Sequence, residues 1–251
     1  MKRIYTILMI LSIALTLLNN VVFSQIKFGL RGGLNLANVS EDLGGTETVD
    51  FEGTPIQINL NQTNRTTFGI GGVVEYWVTP IFALQVNALY NQKGVGIDGN
   101  INETLEEQGI PFSLKVTAEE TIKLSYLSFP VLAKVAFGEN IKPYLIAGPE
   151  IGILLSGKDY AKATSEAEAM GMKIGPITEE QDTDIKDQLE SLDFAINFGA
   201  GVLIPLGVVE IFVDAQYSLG LTKINKEDFS YRGDLKNRVF IINAGMLFSS
   251  L

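Results

Sequence analysis

The chain contains no cysteine and no histidine. Without cysteine there is no disulfide framework and no cysteine to carry a lipid anchor at a processed N-terminus. Without histidine the usual general base of hydrolases is missing, and with both absent, ordinary zinc and haem sites are excluded. Acyl transfer or hydrolysis would need an unusual lysine- or carboxylate-based site. The expectation is therefore a protein that is not an enzyme, with no catalytic residue, cofactor or metal ligand to name. Long apolar runs are scarce as well. One stands at the N-terminus, where Lys2 and Arg3 precede an apolar stretch from Ile4 to Leu18, followed by Asn19, Asn20 and Val22-Phe23-Ser24 before Gln25. That is the layout of a secretory signal peptide, expected over residues 1–24, with the mature domain over 25–251. No later segment reaches the ~18 consecutive apolar residues of a transmembrane helix. Positive charge is the last shortage. Once Lys2 and Arg3 are removed, 17 basic residues face 29 acidic ones, a mature charge of −12 that disfavours nucleic acid as a partner.

What the chain has in quantity is alternation. From Leu192 to Leu221 it reads as one hairpin, with Leu192, Phe194, Ile196, Phe198, Ala200, Val202 and Ile204 on one face of the first arm. After Pro205-Leu206-Gly207, the return arm places Val209, Ile211, Val213, Ala215, Tyr217, Leu219 and Leu221 on the same face. A period of two over more than ten residues is a strand signal, and arms of this length suit a tilted strand crossing a bilayer. The pattern recurs at Ile26–Asn38, Thr67–Val78, Phe82–Asn91, Thr121–Phe137, Lys142–Ser156 and Arg238–Phe248. Ile56, Ile58 and Leu60 keep the parity of the Thr67–Val78 strand, which is expected to begin there and project beyond the membrane. The connections alternate long, short, long, short, long, short, long. The expected fold is therefore all-β: an eight-stranded antiparallel up-and-down transmembrane β-barrel with short periplasmic turns and long extracellular loops, placed in the outer membrane.

A soluble barrel of the lipocalin kind would show the same alternation with the apolar set inside. The polar set argues against it, because it is heavy in Gly, Ala, Asn and Ser around isolated charges of both signs, and the acidic excess falls in the long connections. Several local features are expected as well. The parity slip between Tyr126 and Leu127 reads as a β-bulge near Leu127, with both apolar sets outward. Thr178-Glu179-Glu180-Gln181 followed by Ile185, Leu189 and Leu192 has the spacing of a short capped helix on the barrel rim. Tyr90, Tyr126 and Tyr217 are expected in an aromatic girdle at the long-loop end, and Phe28, Trp77, Phe82, Phe137 and Tyr144 in one at the short-turn end. Arg65 is expected in a loop.

The inward ionisable residues form the candidate site: Lys27, Arg31, Glu75, Lys134, Glu150, Glu210 and Asp214. Charges in a barrel interior persist when paired, so a structural salt-bridge network is expected rather than a proton or ion path. Glu210 and Asp214 lie four residues apart on one strand face, about 13 Å at ~3.3 Å per residue, too far for a pair of glycosidase carboxylates. The acidic loops hold no Asp-x-Asp-x-Asp-Gly calcium loop. Arg232-Gly233-Asp234 matches an adhesion tripeptide, a match too short to weigh.

A set of motifs, in order, resembles a known family. Phe28-Gly29-Leu30-Arg31-Gly32-Gly33-Leu34-Asn35, Leu89-Tyr90-Asn91-Gln92-Lys93-Gly94, Tyr126-Leu127-Ser128-Phe129-Pro130, Ala147-Gly148-Pro149 and Tyr217-Ser218-Leu219-Gly220-Leu221 are similar to the PorT-like outer-membrane β-barrel domain family. The resemblance spans Gln25 to Phe248. It implies a barrel without catalytic residues and a role alongside protein-secretion or envelope machinery. The expected function is that of a structural or interaction protein with a plugged, charge-compensated interior. The alternatives are a small-molecule channel or transporter and a lipid-modifying outer-membrane enzyme. Expected partners are outer-membrane lipid and lipopolysaccharide, and envelope proteins met through the extracellular loops. The chain is expected to be a monomer.

Overall fold

The computed structural model describes residues 26–51, 54–107, 110–227 and 233–249. The expected signal peptide lies outside them, as does Arg232. Eleven strands follow one another: β1 (Ile26–Val39), β2 (Gly45–Phe51), β3 (Thr54–Thr63), β4 (Arg65–Trp77), β5 (Phe82–Glu107), β6 (Ile110–Ala136), β7 (Lys142–Ala169), β8 (Met172–Asp184), β9 (Leu192–Leu206), β10 (Val209–Gly220) and β11 (Asn237–Ser249). Eight of them, β1, β4, β5, β6, β7, β9, β10 and β11, pair antiparallel with their neighbours around a ring. The ring closes where β1 pairs with β11, from Lys27↔Ser249 to Val39↔Asn237. Closure leaves the barrel with no open edge at membrane depth.

The two faces of the wall follow the alternation. Leu30, Leu34, Phe68, Ile70, Val131, Leu145, Ile151, Phe198, Val213, Ile242 and Met246 point out and are exposed, while Arg31, Asn35, Glu75, Gln85, Asn87, Asp214 and Asn243 point in and are buried. Side chains on the lumen face must be small where strands crowd. A Cβ at Gly29 would run into the carbonyl oxygen of Met246, and one at Gly71 into that of Ala88.

The long connections are not loops. β5 and β6 stay paired out to Glu107↔Ile110, β7 continues to Ala169, and β8 folds back along β7. β3 pairs with β5 over Asn59↔Asn100 to Thr63↔Gly96, and β2 pairs with β3. The result is a six-stranded sheet, β2-β3-β5-β6-β7-β8, that continues one side of the barrel wall beyond the girdle. From Val95 to Glu107 it extends roughly 40 Å along the strand at about 3.3 Å per residue. The alternation is present here (Val95, Ile97 and Ile101 against Asp98, Asn100 and Asn102), but acidic residues had suggested solvated loops. A sheet wetted on its outer face tolerates them. Only 222–236, the last connection, is free of strands among its described residues.

Three local expectations change. Ile122, Leu124 and Tyr126 are buried in the lumen. β6 keeps one parity throughout, and the extra residue is Leu155 on β7, since Ser125 pairs with Ser156 and Tyr126 with Leu154. The apolar set of β6 changes face because its surroundings change. Within the bilayer the wall is greasy outside, whereas above it the outside is water and the apolar residues turn inward to close the mouth. Tyr126 accordingly leaves its girdle for the interior, and Trp77 and Tyr144 are interior too because they share the inward parity of Glu75 and Glu150. Phe28 and Phe137 remain outside at the short-turn end, and Tyr90 and Tyr217 sit at the long-loop end against Phe68 and Phe198. The expected rim helix is also replaced: Thr178–Gln181 belong to β8, and a single 3₁₀ turn, Lys186–Gln188, follows. Ile185 and Leu189 are buried on either side of that turn, which accounts for their helix-like spacing.

Candidate functional site: the barrel interior

The lumen is filled in layers. At the long-loop end Val39, Val95, Ile122, Leu124, Tyr126, Leu154, Ile185, Leu189, Ile224 and Leu235 form an apolar plug. Its members come from β1, β5, β6 and β7 and from both long connections that fold over the mouth, tied by the Leu189–Asn225 bridge. At the short-turn end Val73, Trp77, Ala83, Leu132, Ala136, Tyr144, Ile146, Leu203, Phe212 and Leu247 form a second apolar layer. Between the two lies a polar band of amides and ion pairs.

The upper part of the band centres on Lys93. Its ammonium donates to Glu150 Oε1 at 3.0 Å and Asp193 Oδ2 at 2.9 Å, with the Tyr126 ring 5.2 Å away. Asn197 donates to Glu150 Oε2 at 2.6 Å, and Asn237 donates to Asp193 Oδ2 at 2.8 Å. The middle centres on Asp214. Arg31 Nη2 lies 3.8 Å from its Oδ1, Tyr144 OH donates to Oδ2 at 2.7 Å, and Asn243 and Gln216 donate to Oδ1 at 2.7 and 2.9 Å. Lower down, within the second apolar layer, the Lys134 ammonium binds Glu75 and lies over the Tyr144 ring at 4.4 Å and the Phe212 ring at 5.6 Å. The Trp77 indole donates to Glu75 Oε2 at 3.1 Å. At the rim Lys27 donates to Glu210 Oε2 at 2.5 Å and covers the Trp77 ring at 4.9 Å.

The seven residues singled out in the sequence thus fall into four separate pairings along the axis: Lys27 with Glu210, Arg31 with Asp214, Lys134 with Glu75, and Glu150 with Lys93. Lys93 and Asp193 were missed. Lys93 shares parity with Gln85, Asn87 and Asn91 but lies beyond the expected end of its strand at Asn91, since β5 runs on to Glu107. Asp193 stood in plain view on the polar face of the first hairpin arm. Arg65 is not in a loop: it opens β4 and its Nη1 donates to the Lys93 carbonyl at 2.5 Å. Among the described residues no group of three or more acidic, His or Cys side chains could hold a metal ion.

A family model described as an outer membrane protein beta-barrel domain matches residues 19–226. The chain belongs to this family. Its place is the outer membrane, and the ring of strands is the family's barrel. No curated protein matches the chain. Solved structures overlap it distantly over nearly their whole lengths. The attachment invasion locus protein Ail of Yersinia pestis is 14% identical, covers 88% of this chain and 98% of its own, and has a TM-score of 0.33. Neisserial surface protein A is 12% identical, with 89% and 97% covered and a TM-score of 0.36. The Escherichia coli outer membrane protease OmpT is 10% identical, with 90% and 96% covered and a TM-score of 0.29. At this distance the likeness carries no argument about activity.

Proposed function

We propose that this outer-membrane barrel is a structural and interaction protein of the envelope, a closed anchor that holds a sheet out from the cell surface. One observation carries the reading: the lumen is filled by side chains, with apolar layers at both mouths and paired charges between and within them. An eight-stranded barrel is narrow enough for side chains to fill. A channel would need a continuous wet path, and each interior charge is held by an opposite charge. No interior carboxylate has a histidine to work with, which counts against catalysis of the common kinds. The PorT-like motifs support a role alongside secretion or envelope machinery, reached through the projecting strands, with lipid and lipopolysaccharide around a monomeric barrel.

The test is the current carried by the purified protein in a planar bilayer. The expected result is the background of the bare bilayer. Stable, reproducible open steps would overturn the reading in favour of a channel. Turnover of lipid by the protein in liposomes would overturn it in favour of an enzyme.

A further inference from the structure

Between the upper and middle parts of the polar band lies a cavity of about 10 Å³, lined by Arg31, Asn35, Asn91, Glu150, Asn197 and Gln216 among others. A cavity needs at least about 10–15 Å³ to hold one water, which makes about three hydrogen bonds, so this one is at the lower limit for a single molecule. Three atoms of the lining residues, Arg31 Nε, Asn35 Oδ1 and Asn197 Oδ1, are buried and have no hydrogen-bond partner in the protein. Their residues are at most 5% exposed. A buried group left in this condition costs about 1–3 kcal/mol, so three together call for a partner.

The orientation of each group is fixed by its other atoms. Asn35 Nδ2 donates to Asn91 Oδ1 at 2.7 Å and to the Gln92 carbonyl at 2.9 Å. Asn197 Nδ2 donates to Glu150 Oε2, so turning that amide over would set its oxygen against a carboxylate. Arg31 Nη1 donates to Asn87 Oδ1 at 3.2 Å. What remains is one N–H donor and two carbonyl acceptors on residues that line a space for one small molecule. A cation there would meet the guanidinium, and an anion would meet two amide oxygens. Water satisfies all three.

We propose that this cavity is a binding site for one water, which accepts a hydrogen bond from Arg31 Nε–H and donates to Asn35 Oδ1 and Asn197 Oδ1. The ion pairs explain what such a water would do. The paired interior holds the cations Lys27, Arg31, Lys93 and Lys134 against the carboxylates Glu75, Glu150, Asp193, Glu210 and Asp214. The surplus carboxylate is in the upper part, where Lys93 serves both Glu150 and Asp193. Through the water and the Asn197 amide, the guanidinium reaches Glu150 by a chain of bonds that polarise one another. Arg31 then serves Asp214 directly and Glu150 at one remove, joining the two halves of the band.

The experiment is nuclear magnetic resonance on the folded wild-type protein in detergent micelles with ¹⁵N-labelled arginine, the Arg31 signal being assigned by its loss in Arg31→Lys. The expected result is an exchange-protected Arg31 Nε–H that cross-relaxes with a long-lived water. That cross-peak is lost in a folded Asn35→Leu or Asn197→Leu variant. A protected Nε–H that cross-relaxes only with protein protons would mean a dry cavity. One exchanging as fast as free arginine would mean an open lumen. Either outcome overturns the proposal on the wild type alone, as would a cross-peak that survives in both folded variants.

Discussion

Arg31 and Lys158 show how differently two ion pairs of one chain stand. The Arg31–Asp214 pair is sealed in the lumen with side chains 3% and 1% exposed, whereas Lys158 meets Asp182 at 3.2 Å on the projecting sheet with both about half exposed. Removing one member of a buried pair strands the other charge and costs ~3–5 kcal/mol. An exposed pair contributes about 0–1 kcal/mol. Arg31→Ala should therefore lower the urea midpoint of the barrel in micelles far more than Lys158→Ala, and equal midpoints would remove Arg31 from any buried network. Asp159, on the part of β7 above the membrane, offers a pH test. Burial, and then the neighbouring Glu120 carboxyl, push it up to about 6. In the unfolded chain an aspartate titrates near ~3.9. The folded form holds this proton more tightly, so its stabilising effect is complete below pH ~4 and is lost as pH rises through about 6. Hydrogen exchange corrected for intrinsic rates should show the outer β6–β7 ladder better protected at pH 5 than at pH 7.5. In Asp159→Asn the difference should vanish.

At the scale of elements, the hairpin β9–β10 reports where lipid begins and ends. Val213 lies opposite Val202 and Ala244 in mid-wall, while Leu221 stands one residue past the end of β10 at the long-loop end. Val213→Arg should cost ~2–4 kcal/mol, because a cation at mid-bilayer has nowhere to go. Leu221→Arg should cost about 0–1 kcal/mol, since its side chain can reach the interface. Reversible unfolding in liposomes, read by the mobility difference between unheated and heated samples, measures both. The barrel strands were legible in the sequence because a lipid face outside and a polar face inside impose a strict period of two. The projecting sheet was legible only at Ile56, Ile58 and Leu60, since a strand with water on one side and a partly covered apolar face on the other carries a weaker contrast, and the acids of 94–120 and 157–191 mimic a solvated loop. The interior was legible by parity as far as Asp214. Lys93 was lost at a strand end drawn too early, and the inward turn of Tyr126 required knowing where the membrane stops.

At the scale of the whole molecule there are two bodies of wall with opposite exposure, a closed ring in the bilayer and an open sheet above it. Protease added to intact cells should cut within 157–191 or 94–120 and leave 192–221 whole, as mass spectrometry of the released peptides would show. Cuts confined to 192–221 would contradict the membrane placement. The packed lumen has a further consequence for the cell. Every open pore added to an outer membrane weakens it as a permeability barrier, so the abundance of pores is bounded by leakage of detergents and antibiotics. A barrel stopped at both mouths adds nothing to that leak. On the closed-anchor proposal leakage sets no bound on its copy number, and a surface could carry it densely while staying as impermeable as before.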